Sequence, residues 1–468
     1  KGDGRRLPCP DADNGLAECD AMETGRGGAL RRALPAPRAP RAPRALPALP
    51  ALCFGLVFAM SGLHAGAAPA ASFSPRNPVQ PPDTFTLTGS GFGHGVGMSQ
   101  FGALAMAKAG MSASDIVTYY YQGTSVASVT DDQSVVVSLE YRKKQISMRG
   151  ESTQGDGTVQ ANLGGTLVVA QPGEHFVFEG QGGGVSVAKV AGDVREELGN
   201  FPSVNVTWSG LINVIDKGGR FGSEGHRYRY GSIDVLPTGG VERTRLHAVN
   251  TVRLHDEYLY GIAEVSSSWP DAAMQAQVLA ARTYAMSAVE KGLRKACSCH
   301  VDDGRGPYSD QTFAGWAKES GPKGDRWVAA VQGTHTSEST GLVILHGESP
   351  IRAYYSSSSG GATQASADQW GGALPYAQSV PDPWSLTEDN PNRSWTVVAS
   401  QQDMARAFNA EQVVRVDVVA RDPSGVAKTV QATLADGSTR KRSGGQLQRA
   451  LGMKSAYITT IDGREGVP

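Results

Sequence analysis

The chain lacks an excess of charge of either sign. Its 468 residues carry 44 Lys and Arg against 45 Asp and Glu, a net charge of −1. No overall basic balance is available to neutralise phosphates, so the composition argues against a nucleic-acid partner. Cysteine is scarce, five in all, and Cys9, Cys19 and Cys53 precede residue 67. Long apolar runs are also missing. The longest candidate, Leu49 to Leu63 (LPALCFGLVFAMSGL), falls short of the roughly 20 residues that cross a bilayer comfortably. Four motifs are absent as well: the phosphate loop G-x-x-x-x-G-K-[ST], the dinucleotide fingerprint G-x-G-x-x-G, the nucleophile elbow G-x-S-x-G and the zinc motif H-E-x-x-H.

Glycine and proline are present in quantity, 58 and 26. So many turn formers favour a β-rich architecture over a helix-only one. With 40% hydrophobic residues there is enough for a sizeable core, and the length suggests about two to three domains.

Residues 1–67 read as an upstream and signal segment. Met22 is a plausible start, followed by Arg26, Arg31, Arg32, Arg38, Arg41 and Arg44, the apolar run, and Ala65-Gly66-Ala67. Basic region, short apolar run and small-residue site form the order of a secretory signal. The expected location is secreted or in the cell wall, with membrane contact only through an uncleaved signal. Beyond Ala67 the chain is slightly acidic, with 35 basic and 39 acidic groups, which suits a nearly neutral glycan better than a polyanion.

Residues 68–82 (APAASFSPRNPVQPP) have the composition of a linker. From 83 to 126 runs a glycine-rich unit. From 127 to 245, short β-branched runs such as QSVVVSLEY, EHFVFEG and SVNVTWSG alternate with turn residues, which predicts an antiparallel β-rich module. The stretch 246–468 begins with a long helix predicted over Asp271 to Lys291. Pro270 sits at its start, Gly292 lies just past its end, and Met274, Val278, Ala281, Ala285 and Ala288 form one apolar stripe. Strands are expected at SWTVVAS, VVRVDVVARD and TVQATLAD, and a helix at GGQLQRALG. The fold class is therefore α+β.

Within Gly89-Ser90-Gly91-Phe92-Gly93-His94-Gly95-Val96-Gly97, glycine takes every second place. An extended chain would put bare backbone on one face and Ser90, Phe92, His94 and Val96 on the other. A bare face admits a ligand or another strand; the plainer alternative is a structural glycine turn with a hydrogen-bonded histidine. Ser99 then caps a helix predicted from Gln100 to Ala109, closed by Gly110.

Four separated stretches carry a resemblance. GFGHGVGMSQFGALAMAKAG with YYYQGT, YLYGIAEVSSSWPDAAMQAQVLAARTYAM (258–286), SPIRAYYSSSSGGATQASADQWGGALPYAQSVPDP (349–383) and the tail SGGQLQRALGMKSAYITTI resemble the motifs of the stage II sporulation protein D family, also called the SpoIID/LytB domain. Here the GHGVG segment comes first, whereas in the familiar sporulation proteins it follows the others, as if the termini had been moved around one fold. The 127–245 module matches no motif. Ser266 stands where the family has proline, and the spacing from Gly261 to Glu264 is two residues shorter.

The resemblance implies a SpoIID/LytB-like fold with an inserted β-rich module. It also implies a lytic transglycosylase that cuts between N-acetylmuramic acid and N-acetylglucosamine in peptidoglycan. One carboxyl group suffices for that reaction, acting first as acid and then as base, whereas ordinary glycosidases use two. Glu264 fits the role, set among Ile262, Ala263, Val265, Trp269 and Pro270, where desolvation would raise its pKa. A structural carboxylate paired with a base is the plainer alternative. Arg282 and Gln275, seven residues apart on the long helix, are expected either to bind substrate or, for Arg282, to make a structural ion pair. His94, Gln100, Tyr355 and Ser358 are further substrate-binding candidates. Trp316 and Trp370 could stack on sugar rings.

Cys297-Ser298-Cys299-His300 offers up to three ligands for a structural zinc, with His335 or Asp302 as a fourth. The competing reading is a Cys297–Cys299 disulfide, which an oxidising exterior favours. No cofactor is required for the expected chemistry. The rival functions are a non-catalytic wall-binding protein that stimulates an N-acetylmuramoyl-L-alanine amidase, as the LytB name implies, and a plain wall-binding module.

Overall fold

The first strand of the described chain, Thr84–Gly89, lies between the last parts of it. It pairs antiparallel with Trp395–Ser400 on one side and Ile458–Ile461 on the other. This is a computed structural model describing residues 80–216 and 226–467, so the signal segment and all but the last three linker residues lie outside the described residues. Of those three, Pro82 offers its carbonyl to the Gln401 amide at 2.9 Å. The architecture is mixed, with strands outnumbering helices.

The terminal strands build a small lobe. Phe85 and Leu87, alternating inward from the first strand, pack with Trp395, Phe408, Val430 and Leu447. The three strands expected near the C-terminus form as Trp395–Ser400, Val413–Arg421 and Ala427–Leu434. The helix Gly444–Leu451 follows, with Ser443 and Gln446 closing a reciprocal capping box at its start.

The β-rich stretch makes two antiparallel-dominated sheets over a shared core. A six-stranded sheet includes Gln145–Glu151, His175–Gln181 and Leu211–Asp216. A seven-stranded one is built around Ser134–Lys143 and Arg245–Arg253. Its limits differ from the 127–245 expected. Ser125–Thr130 pairs instead with Thr340–His346, and Arg245–Arg253 is an interior strand of the module. The module is also continuous with the rest of the chain. Val301–Asp302 adds to Ser134–Lys143 as a parallel strand, and Val278, Phe313 and Trp327 join the same core. A run of turn residues marks a strand's end, but cannot mark which sheet the strand enters.

The long helix, Asp271–Glu290, is the centre of the molecule. The stripe Met274, Val278, Ala281, Ala285 and Ala288 faces the sandwich core. A second face, with Ala276, Leu279 and Ala280, packs against Met98, Ala103 and Tyr120 of the glycine-rich unit. Alanine on both sides keeps the helix thin enough for neighbours to approach closely. Burying each large partner contributes roughly 1.5–3 kcal/mol. None of the described helices is long and apolar enough to cross a membrane.

The glycine-rich unit forms the structural turn rather than the extended ribbon, with His94 hydrogen-bonded inside it. Gly91, Gly93, Gly95 and Gly97 all hold positive φ, from 73° to 105°. The segment therefore curls, and its bare positions press on the 354–364 segment. A Cβ at Gly97 would lie 2.0 Å from the Tyr354 carbonyl oxygen, and one at Gly93 would lie 2.9 Å from the Ser356 Cβ. The bare face admits another stretch of chain rather than a ligand. Met98–Ser99 then pairs in parallel with Tyr355–Ser356. The Ser99 hydroxyl accepts from Gly102 N–H at 3.2 Å and starts the helix Gln100–Lys108.

Candidate active site

Two short segments hold Glu264. Gly261–Glu264 runs antiparallel to Thr312–Ala314, with Ala263 N–H donating to Thr312 O and Ala314 N–H to Gly261 O, both at 2.8 Å. Gly261 is needed here, because a Cβ at that position would sit 2.4 Å from the Phe313 ring. The loop after Glu264 is clamped from outside the motif. Lys318 Nζ donates to Val265 O at 2.6 Å, and Arg326 donates to Trp269 O at 3.0 Å.

The carboxyl group itself receives several donors. Glu264 Oε1 accepts the Thr312 backbone N–H at 2.6 Å and the Tyr355 hydroxyl at 3.2 Å. The Thr312 hydroxyl and the Gln100 amide also reach it. These donors favour the charged form, but burial outweighs them and holds the Glu264 pKa above the usual carboxylate value. Glu264 nevertheless remains partly accessible to solvent. Burial acts oppositely on the neighbouring Lys318, lowering its pKa to about 8 while the Glu264 charge pulls it back up.

A directed chain of hydrogen bonds backs the site. The Tyr258 hydroxyl donates to Gln311 Oε1 at 2.7 Å, and Gln311 Nε2 donates to the Tyr355 hydroxyl at 2.9 Å. Tyr355 in turn donates to Glu264. The Tyr355 hydroxyl is therefore fixed as a donor toward the carboxylate. His94 holds the same tyrosine from behind by a hydrogen bond to its backbone carbonyl. His94 Nδ1 accepts Val96 N–H at 3.0 Å, and burial lowers the imidazole pKa to about 4, so it is neutral at pH 7. Its ring meets Trp370 edge-on at 5.2 Å.

The sequence candidates separate. Glu264, Tyr355 and Gln100 come together, and His94 joins them through Tyr355. Arg282 does not. It is fully buried, its Nε 2.7 Å from Asp131 Oδ2 and its Nη1 2.8 Å from the Thr334 hydroxyl. Asp131 also meets His255 Nδ1 at 2.6 Å. The substrate-binding expectation for Arg282 is corrected to its alternative, a structural ion pair. Gln275, chosen for sharing the Arg282 face, is likewise turned from the site, with its amide against Gly333. Gln277 takes its place, accepting from Gln100 Nε2 at 3.2 Å. Ser358 is buried in the framework, exchanging backbone hydrogen bonds with Phe92 and accepting from Asn390. It has no surface to offer a ligand.

The zinc alternative is corrected as well. Cys297 and Cys299 are joined as a disulfide. His300 Nδ1 accepts Val136 N–H at 3.0 Å, and His335 bonds to the His255 carbonyl. Asp302 accepts backbone N–H groups of Tyr308, Ser309 and Asp310. No group of three or more metal-ligating side chains occurs among the described residues.

Thr312, Gln311 and Lys318 were not legible as site residues. They come from a connecting stretch with no spacing signal, and only the pairing with 261–264 brings them in. Gln277 was in view, two residues from Gln275 in the same motif.

Residues 242–338, which carry Glu264, Thr312 and Lys318, match the family model described as SpoIID: Stage II sporulation protein. Over that stretch the chain is similar to this family. Stage II sporulation protein D of Bacillus subtilis (strain 168) is 64% identical over 45 residues, 10% of this chain and 13% of that protein. The protein of the same name from Bacillus amyloliquefaciens is 59% identical over 44 residues, again 13% of its length. An amidase enhancer of B. subtilis (strain 168) is 54% identical over 44 residues, 9% of this chain and 6% of that protein. The matched stretch is thus a small fraction of each relative. The GHGVG unit, the 349–383 run and the tail lie outside the family match, although the structure places Gln100 and Tyr355 against the glutamate of the matched segment.

Proposed function

We propose that this protein is exported and acts on the glycan strands of peptidoglycan as a lytic transglycosylase, with Glu264 as its acid and base. The observation that carries the reading is the state of Glu264: a partly accessible carboxyl whose pKa is raised by burial, fixed by Thr312 and Tyr355. Such a group keeps its proton to higher pH and can give it away.

In the reaction, the proton on Glu264 passes to the glycosidic oxygen, which leaves with N-acetylglucosamine as the C1–O bond breaks. The 6-hydroxyl of the muramic residue bonds to C1 and gives its proton to the Glu264 carboxylate, restoring the acid. No water is consumed, and the product carries a 1,6-anhydro end. Tyr355 and Thr312 favour the carboxylate after the first transfer, while the apolar surroundings favour the acid before it. The single carboxylate is enough because attack comes from the sugar itself.

The location rests on the basic, apolar and small-residue order of residues 22–67. Digestion of purified sacculi, with products weighed by mass spectrometry, tests the function. Anhydro-ended muropeptides from the wild type and none from Glu264→Gln are expected. Equal product from both would overturn it.

A second reading has its own support, the identity to an amidase enhancer. In that reading the protein binds wall and stimulates an amidase without cutting glycan. It predicts no anhydro ends, and faster release of stem peptides when a wall amidase is added.

A further inference from the structure

One short stretch, 312–318, holds Glu264 at two points. At one end the Thr312 backbone N–H donates to the carboxyl group at 2.6 Å. At the other, Lys318 Nζ donates to the carbonyl of Val265, the next residue of the loop, also at 2.6 Å. Gly315 makes the return possible. It turns the chain at φ +54°, where a Cβ would stand 2.6 Å from the Tyr228 ring. The short helix Trp316–Glu319 begins there and carries Lys318 back to the loop.

Lys318 is nearly enclosed, 9% exposed. Its ammonium forms no ion pair among the described residues, and the charges nearby in sequence are used elsewhere: Glu319 pairs with Arg229, and Arg326 with Asp271. Trp327, fully buried, supplies a ring face whose centroid lies 4.5 Å from Nζ. Its indole N–H is anchored on the Leu259 carbonyl at 2.9 Å. A cation rests well on such a ring, but an ammonium so largely out of water still calls for a negative charge. The carboxylate that acts on it is Glu264, whose charge opposes the lowering that burial imposes on the Lys318 pKa. An uncharged amide could hold the Val265 carbonyl without the cost of burying charge. The hydrogen bond alone therefore does not account for a lysine.

In the cycle above, the charge on Glu264 comes and goes. The group is neutral before its proton passes to the glycosidic oxygen, and anionic until the 6-hydroxyl returns one. A fixed cation nearby favours the anionic state. Tyr355 and Tyr258 also feel the Glu264 charge, but burial pushes both phenols well above their ordinary pKa and they stay neutral. His94, one step behind Tyr355, is neutral at pH 7. Lys318 is the charged group set against the carboxylate.

We propose that Lys318 is a positioning residue for Glu264, fixing its loop through the Val265 carbonyl and supplying the counter-charge of its carboxylate after the proton has left. The role in turnover rests on the reading of Glu264 as the acid. The coupling between the two charges does not depend on cleavage.

Side-chain NMR titration of the full chain, without substrate, tests the coupling from both ends, since it must be reciprocal. Glu264→Gln removes the anion and should lower the Lys318 pKa below its wild-type value of about 8. Lys318→Met removes the cation and should raise the Glu264 pKa further. In digests of sacculi, Lys318→Met should reduce kcat roughly tenfold to a hundredfold with little change in KM, because the acid shifts while the glycan surface stays. The alkaline limb of its pH–rate profile should move to higher pH. A merely structural lysine would cost stability and leave both pKa values and the limb in place. An unchanged Lys318 pKa in Glu264→Gln, or an unchanged Glu264 pKa in folded Lys318→Met, overturns the proposal. The first measurement leaves position 318 intact, so misfolding of the methionine variant does not decide the matter. Absence of anhydro ends from the wild type would sink only the transglycosylase reading, and absence of coupling in the titrations would sink only this one.

Discussion

The Tyr355 hydroxyl donates to Glu264 Oε1 at 3.2 Å, joining positions 91 residues apart. Gln311 occupies the acceptor side of that hydroxyl, so its proton has one place to point. The contact favours the Glu264 carboxylate over the acid. Tyr355→Phe should therefore raise the Glu264 pKa further and move the alkaline limb of the pH–rate profile to higher pH. An NMR titration of the Glu264 side chain would show the same direction. An unchanged or lowered pKa would mean that the hydroxyl does not act on the carboxylate.

The raised pKa also makes a stability prediction. As pH rises through the ordinary carboxylate value, the unfolded chain loses the Glu264 proton while the folded chain keeps it, so the folded state falls in relative stability until it too ionises. The contribution is complete at acid pH and lost as pH climbs through the folded value. Glu264→Gln has no such loss. Relative to wild type, it should gain in melting temperature as pH rises from about 4, the ordinary carboxylate value, through the raised folded-state value. A difference independent of pH would contradict the burial of the charge.

Arg282 should matter to folding rather than to substrate. Arg282→Met leaves Asp131 buried without its guanidinium, a loss of about 3–5 kcal/mol in denaturant unfolding. Replacing both, with Asp131→Asn as the second change, should cost less than the single change. Weakened wall binding by a stably folded Arg282 variant would restore the substrate role.

Gly97→Ala tests the curl of the glycine segment. At φ +73° a side chain carries strain of about 1–3 kcal/mol, and the added Cβ would meet the Tyr354 carbonyl oxygen at 2.0 Å. The melting temperature should fall, and the Tyr355 contact should loosen with it. By contrast, Gly110→Ala meets no atom within 4 Å, so its loss should stay within the backbone strain alone.

Periodic signals carried furthest. The long helix was legible because a 3.6-residue stripe, Pro270 and Gly292 all mark it, and it forms as Asp271–Glu290. Ser99 and Gly110 bounded the first helix in the same way. Glu264 could be singled out because it lies in a dense motif. The glycine segment left two alternatives open, an extended ribbon and a structural turn, because alternation along a sequence does not reveal the sign of φ; the turn is the one that forms.

The chain's own sequence determined its local elements and the chemical types near Glu264, since caps, turn formers and side-chain periodicity act over a few residues. Tertiary structure decided which of those residues meet. It drew Tyr355 and Gln100 onto Glu264, turned Arg282 toward Asp131, brought Thr312 and Lys318 out of a stretch without pattern, and seated the first strand beside the last. Those choices follow from burial and from pairing backbone groups across distant segments, and spacing along the chain does not encode either one directly.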